Sequence, residues 1–401
     1  MRKKVIIFGA GQIGRGFIGE ICYSSGYFLV FVDVFKNVID LLNKEKKYPL
    51  WILGKEKEEK FIENFKGIYF DDKESVSNEI KEANLIFTAV GVNNLKSLAP
   101  LISEGILKKF SANKSDYLNI IICENLLGSG KILYSEVLEY LPPEFKEVVF
   151  QKVGFVESVV SRMVAPITDE IKKINPLIVR VEPYNKLPVD KKAFKGEIPD
   201  IKGLYPVENL YPYEELKIFV HNLSHACLAY LGYLSGYTYI WQCMEDKKIL
   251  KIFKGVLNEV KEALIKKHKF DEKEIDDYIY DLQTRFKNKL LGDTVFRVGR
   301  DPLRKLGPDD RIIGSINLCL SQNIFPANIC VVASACLCYN YQNDKQAVEL
   351  EEIIRNNSVE FVLKEICKLE NKEIIDEILK HYEEIKNESS TSKRNREFRN
   401  Y

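Results

Sequence analysis

Three sets of residues in this 401-residue chain have types and spacings that could do chemistry. The first lies near the N-terminus, where the apolar run Val5 to Phe8 enters Gly9-Ala10-Gly11-Gln12-Ile13-Gly14, a G-x-G-x-x-G turn. Gly9 permits the tight turn, Gly11 lets a pyrophosphate approach the backbone, and Gly14 lets a helix pack on a strand. The helix that follows, marked by Phe17, Ile18 and Ile21, offers its first N–H groups to phosphates, so Gln12 and Ile13 join the glycines as cofactor contacts. Asp33 closes the next apolar strand, 19 residues beyond Gly14, the place of the acid that binds a ribose. An Asp there favours NAD over NADP, because a 2′-phosphate would meet its charge. Thr88-Ala89-Val90-Gly91 ends a later strand on the same side of the sheet. Thr88 and Val90 are therefore candidate cofactor contacts, although a plain strand exit explains them equally well.

The second set is Lys217, Asn222 and His225 on one amphipathic helical stretch. At about 100° per residue, His225 lies about 80° around from Lys217, and Asn222 is one turn from His225. A buried lysine loses basicity and becomes a usable general base. An Asn amide can donate to an oxygen that gains charge, and a histidine can orient a hydroxyl or relay a proton. Spacing alone favours a solvated helical face for all three, and His221 shares that face.

The third set is basic. Arg297, Arg300, Arg304, Lys305 and Arg311 place five cations in fifteen residues. Asp301-Pro302 reads as a helix cap followed by proline at the first helical position, with Gly307 ending the helix and another starting near Asp309. Such a junction offers guanidinium forks and free backbone N–H groups, both suited to a phosphate dianion. Composition alone favours ion pairing with Asp293, Asp301, Asp309 and Asp310.

The elements that must position these residues fall into two textures. Lys4 to Phe8, Phe28 to Val32, Gly67 to Phe70, Leu85 to Val90, Ile120 to Cys123 and Val148 to Val153 read as buried strands. Helix-like segments separate them, which indicates a parallel sheet covered on both faces. Proline, lysine and glycine accumulate between Pro176 and Asp200. Beyond that, long helical periods run over Tyr213 to Leu234, Met244 to His268, Glu272 to Lys289, Asp309 to Ser321, Ala327 to Asn340 and Ala347 to Glu370. The reading is an α/β dinucleotide-binding domain over 1–192, a mainly α-helical substrate domain over 193–387, and a polar, frayed tail over 388–401.

Composition narrows the function. Lys and Arg (59) balance Asp and Glu (58), which excludes a dedicated nucleic-acid binder. No run approaches the ~20 apolar residues of a membrane span, and Gly9, Gly11 and Gly14 interrupt the only signal-like start. The nine cysteines are odd in number and lack a C-x-x-C pair, as suits reduced, mostly buried thiols in a cytoplasm. Cys336-Leu337-Cys338 reads as core. The four histidines are dispersed, with no metal-ligand spacing, so no metal is expected. Arg15 and Lys36 read as solvated surface rather than phosphate ligands.

Several segments together resemble the polyol-specific long-chain dehydrogenases, a zinc-independent family, and within it the branch acting on mannitol 1-phosphate. They are Gly9 to Gly19 (GAGQIGRGFIG), Cys123-Glu124-Asn125, Val153-Gly154-Phe155-Val156, Phe194-Lys195-Gly196, Lys217-x4-Asn222-x2-His225-Ala226, and Arg297 to Leu306 followed by Asp310-Arg311. The resemblance implies a Rossmann-type domain, a helical domain, and substrate between them. It implies Lys217 as general base, Asn222 and Asn125 around the reacting oxygen, His225 positioning the hydroxyl, and Arg300 and Arg304, with Lys305 secondary, on the substrate phosphate. His221 has no counterpart. Where the family usually has an Asp before its Arg-Ile-Val-Pro-like segment, this chain has Ser161 before Arg162-Met163-Val164, so that acid's role does not carry over. The implied activity is NAD-dependent interconversion of D-mannitol 1-phosphate and D-fructose 6-phosphate. An unphosphorylated polyol or a hexuronate is the alternative substrate, and a dinucleotide sensor without turnover the alternative class. Monomer and dimer fit equally.

Overall fold

A computed structural model describes residues 3–113 and 115–397. The chain divides into two compact units, Met1–Glu214 and Glu215–Tyr401.

In the first unit the apolar runs become β1 (Lys4–Phe8), β2 (Phe28–Asp33), β5 (Phe65–Tyr69), β6 (Leu85–Thr88), β7 (Leu118–Ile122) and β8 (Val153–Glu157). They form one parallel sheet in the order β5-β2-β1-β6-β7-β8. Alternation along β1 sends Val5 and Ile7 into one core with Phe17, Ile18 and Phe31, and Ile6 and Phe8 into another with Val30, Ile86 and Ile106. A sheet buried on both faces needs such continuous apolar strands. The register levels Val32, Phe8, Thr88, Ile122 and Glu157 in one row. The loops that leave this row share the carboxyl edge, and the strand order reverses between β1 and β6, where ligands bind in open α/β sheets.

Two expectations shift here. Val148 to Val153 is not a strand: Pro142-Pro143 opens a helix, Pro143–Lys152, and β8 begins only at Val153. Val148 and Val149 pack onto the sheet as part of that helix's apolar face. A second sheet was unforeseen. β3 (Tyr48–Leu53) pairs antiparallel with β4 (Lys57–Ile62) and parallel with β9 (Val179–Val181). Lys57-Glu58-Glu59-Lys60 carries four charges in a row and looks nothing like a strand, yet it forms the exposed outer edge, where charges deter further pairing. β9 lies so close to the dinucleotide helix that a Cβ on Gly16 would sit 2.5 Å from Val179 Cγ1.

Residues between 193 and 214, expected beyond the domain boundary at 192, stay with the first unit. β10 (Leu187–Asp190) pairs with β11 (Leu204–Val207). Asn119 on β7 exchanges two 2.9 Å hydrogen bonds with the Lys195 backbone.

The second unit is helical. A π-helical stretch, Leu216–Asn222, runs into Leu223–Leu234, a helix enclosed by Lys247–His268, Ala327–Leu337, Val295–Gly299 and Ile240–Cys243. Nine residues of that central helix are buried. Five segments are shorter than their periodicity suggests, two of them only at the end, since the helices from Glu272 and Ala327 stop at Phe286 and Leu337. The helix expected from Asp309 starts at Ile313, the one expected from Met244 starts at Lys247 with Asp246 as its cap, and Ala347 to Glu370 breaks at Asn357 into Lys345–Asn356 and a turn from Val359. The last helix, Lys372–Glu397, continues through most of the expected tail, and 398–401 lie outside the described residues. All nine cysteines are free and buried. Among the described residues, no helix is long and apolar enough to cross a membrane.

Candidate active site

The glycine turn is built from steric necessity. Gly9 has φ +100°, and a Cβ there would lie 2.3 Å from the Ala89 carbonyl oxygen. A Cβ on Gly14 would lie 1.8 Å from the Gly9 carbonyl oxygen. Gly11 faces open space, with nothing within 4 Å of the Cβ position, which is the room a pyrophosphate needs at the helix start. Ile13 opens the helix, and Gln12 Oε1 beside it is buried with no hydrogen-bond partner among the described residues. A ligand donor would satisfy that acceptor. These residues fit a dinucleotide.

Asp33 is pinned. Its Oδ2 accepts from the Ala10 N–H at 2.6 Å and its Oδ1 from the Phe35 N–H at 2.9 Å, which ties the end of β2 to the turn. The helix itself is π-helical over Gly14–Ile18. The Tyr48 hydroxyl donates to the Arg15 carbonyl at 2.8 Å, and Arg162 Nη1 donates to the Gly16 carbonyl at 3.1 Å. Arg15 corrects the expectation of a solvated residue. It is buried, donating 2.6 Å bonds to the Ala10 and Leu177 carbonyls. Lys36 is exposed, as expected, and pairs with Asp71.

Thr88 and Val90 are joined by a residue with no role assigned from the sequence. Glu124, buried at the end of β7, accepts from the Thr88 hydroxyl through Oε2 and from the Val90 N–H at 2.9 Å through Oε1. Burial pushes its carboxyl upward against these donors. The sequence signals for it are a carboxylate directly after an apolar strand and its place in the Cys123-Glu124-Asn125 segment. Asn125 follows, exposed.

In the second unit, Lys217 and Asn222 lie on the π-helical stretch. There a five-residue separation closes about one turn, because π-helical bonding runs i→i+5. The two side chains thus come to one face, which α-helical spacing does not do. Burial, with the Arg311 guanidinium nearby, lowers the Lys217 ammonium to about 8. His225 stacks on Phe286 at 4.7 Å and 31°, and its Nε2 lies 3.2 Å from Asp293 Oδ2. Burial lowers its pKa, and Asp293 opposes that. Burial pushes Asp293 upward, but His225 and Arg297 outweigh this and hold it at about 2. His221 is buried beside both His225 and Phe286, neutral, with Nδ1 unpaired among the described residues. Asp293 and Arg311 emerge beside these residues. In the sequence, Asp293 reads only as an ion-pair partner and Arg311 only as one of five cations.

The basic segment follows its ion-pairing alternative closely. Arg297 Nε bonds Asp293 Oδ1 at 2.6 Å, Arg304 Nη1 bonds Asp310 at 3.0 Å, and Arg311 Nε bonds Asp310 at 2.8 Å. Arg300 is mostly exposed, 3.8 Å from Asp301. Lys305 is buried, donates to the Arg300 carbonyl, and is lowered to about 7 by burial, Arg311 and Arg304. Two of the expected free N–H groups are taken. The Asp301 N–H donates to Asp344 at 2.8 Å and the Arg304 N–H to Gln346 at 3.0 Å. Asp301 has φ +60° and makes no side-chain cap. Among the described residues no group of three or more His, Cys, Asp or Glu side chains could hold a metal ion.

Comparison with known proteins gives a consistent result. A model of the mannitol dehydrogenase Rossmann domain matches residues 3–203, and one of the mannitol dehydrogenase C-terminal domain matches 209–394. The mannitol-1-phosphate 5-dehydrogenase of Thermoanaerobacter pseudethanolicus is 40% identical over 384 residues, 96% of this chain and 98% of that protein. Its counterpart from Clostridium acetobutylicum is 37% identical over 96% of this chain and 100% of that protein. The Bacillus subtilis protein of that name is 36% identical over 93% and 97%. Among solved structures, a substrate-free D-sorbitol dehydrogenase superposes with TM-score 0.82 at 16% identity, over 97% of this chain and 94% of that one. Pseudomonas fluorescens mannitol 2-dehydrogenase, a ternary complex with NAD and D-mannitol, gives 0.77 at 17%, over 98% and 93%. At such identities these two likenesses concern the fold.

Proposed function

The chain belongs to the mannitol dehydrogenase family, and from that premise we propose that it interconverts D-mannitol 1-phosphate and D-fructose 6-phosphate with NAD. The names of its relatives support the substrate pair, and the pinned Asp33 and open Gly11 support the cofactor. Bound NAD supplies the hydride acceptor at its nicotinamide C4.

Lys217 is the general base of this reading. In the oxidation, neutral Lys217 Nζ takes the proton from the reacting hydroxyl while the carbon loses hydride. In the reduction, the ammonium returns that proton to the ketose oxygen. At about 8, Lys217 is neutral in about one molecule in ten at pH 7, so both protonation states are populated. Asn222 donates to the oxygen as it gains charge, and the family pattern gives Asn125 the same task. His225 orients a substrate hydroxyl. Arg300 and Arg304, with Lys305, are proposed to hold the phosphate. Gly9, Gly11, Gln12, Ile13, Gly14, Asp33, Thr88 and Val90 are proposed to hold the dinucleotide.

The observation that carries the reading is a lysine whose lowered basicity frees its amine near neutrality, on a π-turn that brings Asn222 to the same face. The competing substrate, an unphosphorylated polyol or hexuronate, is favoured by one observation: Arg300 and Arg304 are exposed and face carboxylates. The test is NADH oxidation with fructose 6-phosphate, fructose and hexuronates. Efficient turnover of fructose 6-phosphate alone is expected. Equal turnover of free fructose would overturn the phosphate assignment, and no turnover at all would favour the sensor.

A further inference from the structure

We propose that Asp293 is a positioning residue that fixes the tautomer of His225, and thereby which ring nitrogen His225 offers a substrate hydroxyl. This rests on the proposed role of His225. Asp293 is buried, and its own carbonyl accepts the Ile240 N–H at 2.9 Å. Its two oxygens are divided between two partners. Oδ1 takes the Arg297 Nε–H at 2.6 Å, and Oδ2 lies 3.2 Å from His225 Nε2. The Phe286 ring, 4.7 Å away at 31°, covers the imidazole face and limits rotation.

An ionised carboxylate only accepts hydrogen bonds. His225 must therefore present its proton at Nε2, which leaves Nδ1 as an acceptor. At this separation Nε2 makes no hydrogen bond among the described residues, and contacts of this kind tighten when substrate binds. The charged groups around His225 are Asp293 and Arg297, and Arg311 from a separate segment, with the neutral His221 one turn back on its own helix. Burial and the two arginines keep the ring neutral near pH 7, so the proton's location on the ring, and not its charge, is the variable that matters.

Arg297 makes the idea testable. In Asp293→Asn the amide oxygen must stay with Arg297, because a guanidinium has no acceptor. The amide NH2 then faces His225 Nε2. That nitrogen must become the acceptor, and the proton moves to Nδ1. The histidine would then offer a substrate hydroxyl a donor where it had offered an acceptor.

The experiment uses the full-length protein carrying 15N-labelled histidine, with and without NADH. The wild type is expected to show His225 as the Nε2–H tautomer, and Asp293→Asn as the Nδ1–H tautomer. A wild-type ring protonated at Nδ1, or a tautomer unmoved by Asp293→Asn, overturns the proposal. If Asp293→Asn does not fold, the wild-type spectrum alone decides. Kinetics supply an independent readout. Asp293→Asn should lose roughly 10²-fold in kcat with KM for fructose 6-phosphate little changed, and Asp293→Glu should recover part of it. Combined with His225→Ala, Asp293→Asn should cost nothing beyond His225→Ala alone, because it acts only through that ring. Multiplicative losses would mean that Asp293 acts by another route. A wild type inactive on every ketose would overturn the proposed function and leave the tautomer result standing.

Discussion

The glycine turn of the first unit and the lysine helix of the second solve opposite problems. Around the turn, buried charges are satisfied. Arg15 and Arg162 donate to carbonyls, Glu124 accepts two donors, and Asp33 accepts two backbone N–H groups. The result is a rigid, preorganised surface whose shape does the binding. On the helix, and at Lys305 on a separate short helix, basic groups are held below their ordinary basicity. Lys217 is lowered to about 8, Lys305 to about 7, and His225 and His221 downward too. Burial and neighbouring cations outweigh the opposing groups there, which is how a protein makes ordinary side chains reactive near neutrality. The turn binds through fixed geometry, and the helix supplies groups of lowered basicity.

If that contrast is right, the largest loss comes from the helix. Lys217→Ala should reduce turnover by ~10³–10⁴-fold while NADH binding, read by fluorescence titration, persists. The pH dependence carries the same signature. Because Lys217 is lowered to about 8, kcat/KM for oxidation should rise with pH and level off above about 8, whereas reduction should decline there. A lysine titrating near its usual 10.4 would break the comparison.

Asn222→Ala should follow, at ~10²–10³ in kcat, the usual loss of a donor to a charged oxygen. Equal losses in NADH affinity and kcat would assign Asn222 to scaffolding.

On the turn, effects should appear in binding. Asp33→Ser should narrow the preference for NAD over NADP by about 10- to 100-fold, the worth of a hydrogen bond to a charged group. Unchanged cofactor ratios in steady-state kinetics would remove Asp33 from the ribose.

Arg300→Ala or Arg304→Ala should raise KM for fructose 6-phosphate about tenfold and leave activity on free fructose unchanged. Both side chains are partly exposed, which keeps the effect modest. The smallest effect is none: EDTA should leave turnover intact, and recovery with added zinc after inactivation would contradict the family chemistry.

The turn was legible because glycine spacing is dictated by backbone sterics, which are local. Gly9, Gly14 and Asp33 could be placed from twenty-five residues of chain, and the strands β1, β2, β6 and β7 from their apolar runs. The helix was legible only in part. Lys217 and Asn222 are five residues apart, which α-helical geometry puts on different faces, and nothing local in Leu216 to Asn222 announces a π-turn. Asp293 lies 68 residues beyond His225, and their meeting depends on how distant helices pack. Arg15 misled because its guanidinium serves carbonyls that only the tertiary fold brings near. β4 misled because an exposed edge strand tolerates charges that a propensity argument rejects. Two of the N–H groups expected to be free around Pro302, those of Asp301 and Arg304, are taken by Asp344 and Gln346, some forty residues on.

The nine buried cysteines have a practical consequence. Burial drives each thiol away from thiolate, with Cys338 pushed up to about 11 and Cys243, Cys319, Cys330, Cys336 and Cys367 to about 12. The folded chain should thus be nearly inert to alkylating reagents, which attack thiolates. Seven of the nine lie in the second unit, and only Cys22 and Cys123 in the first. An alkylation time course followed by mass spectrometry then works as a clock with two hands. Adducts in steps of two and seven would report which unit opens first, and how far one opens without the other.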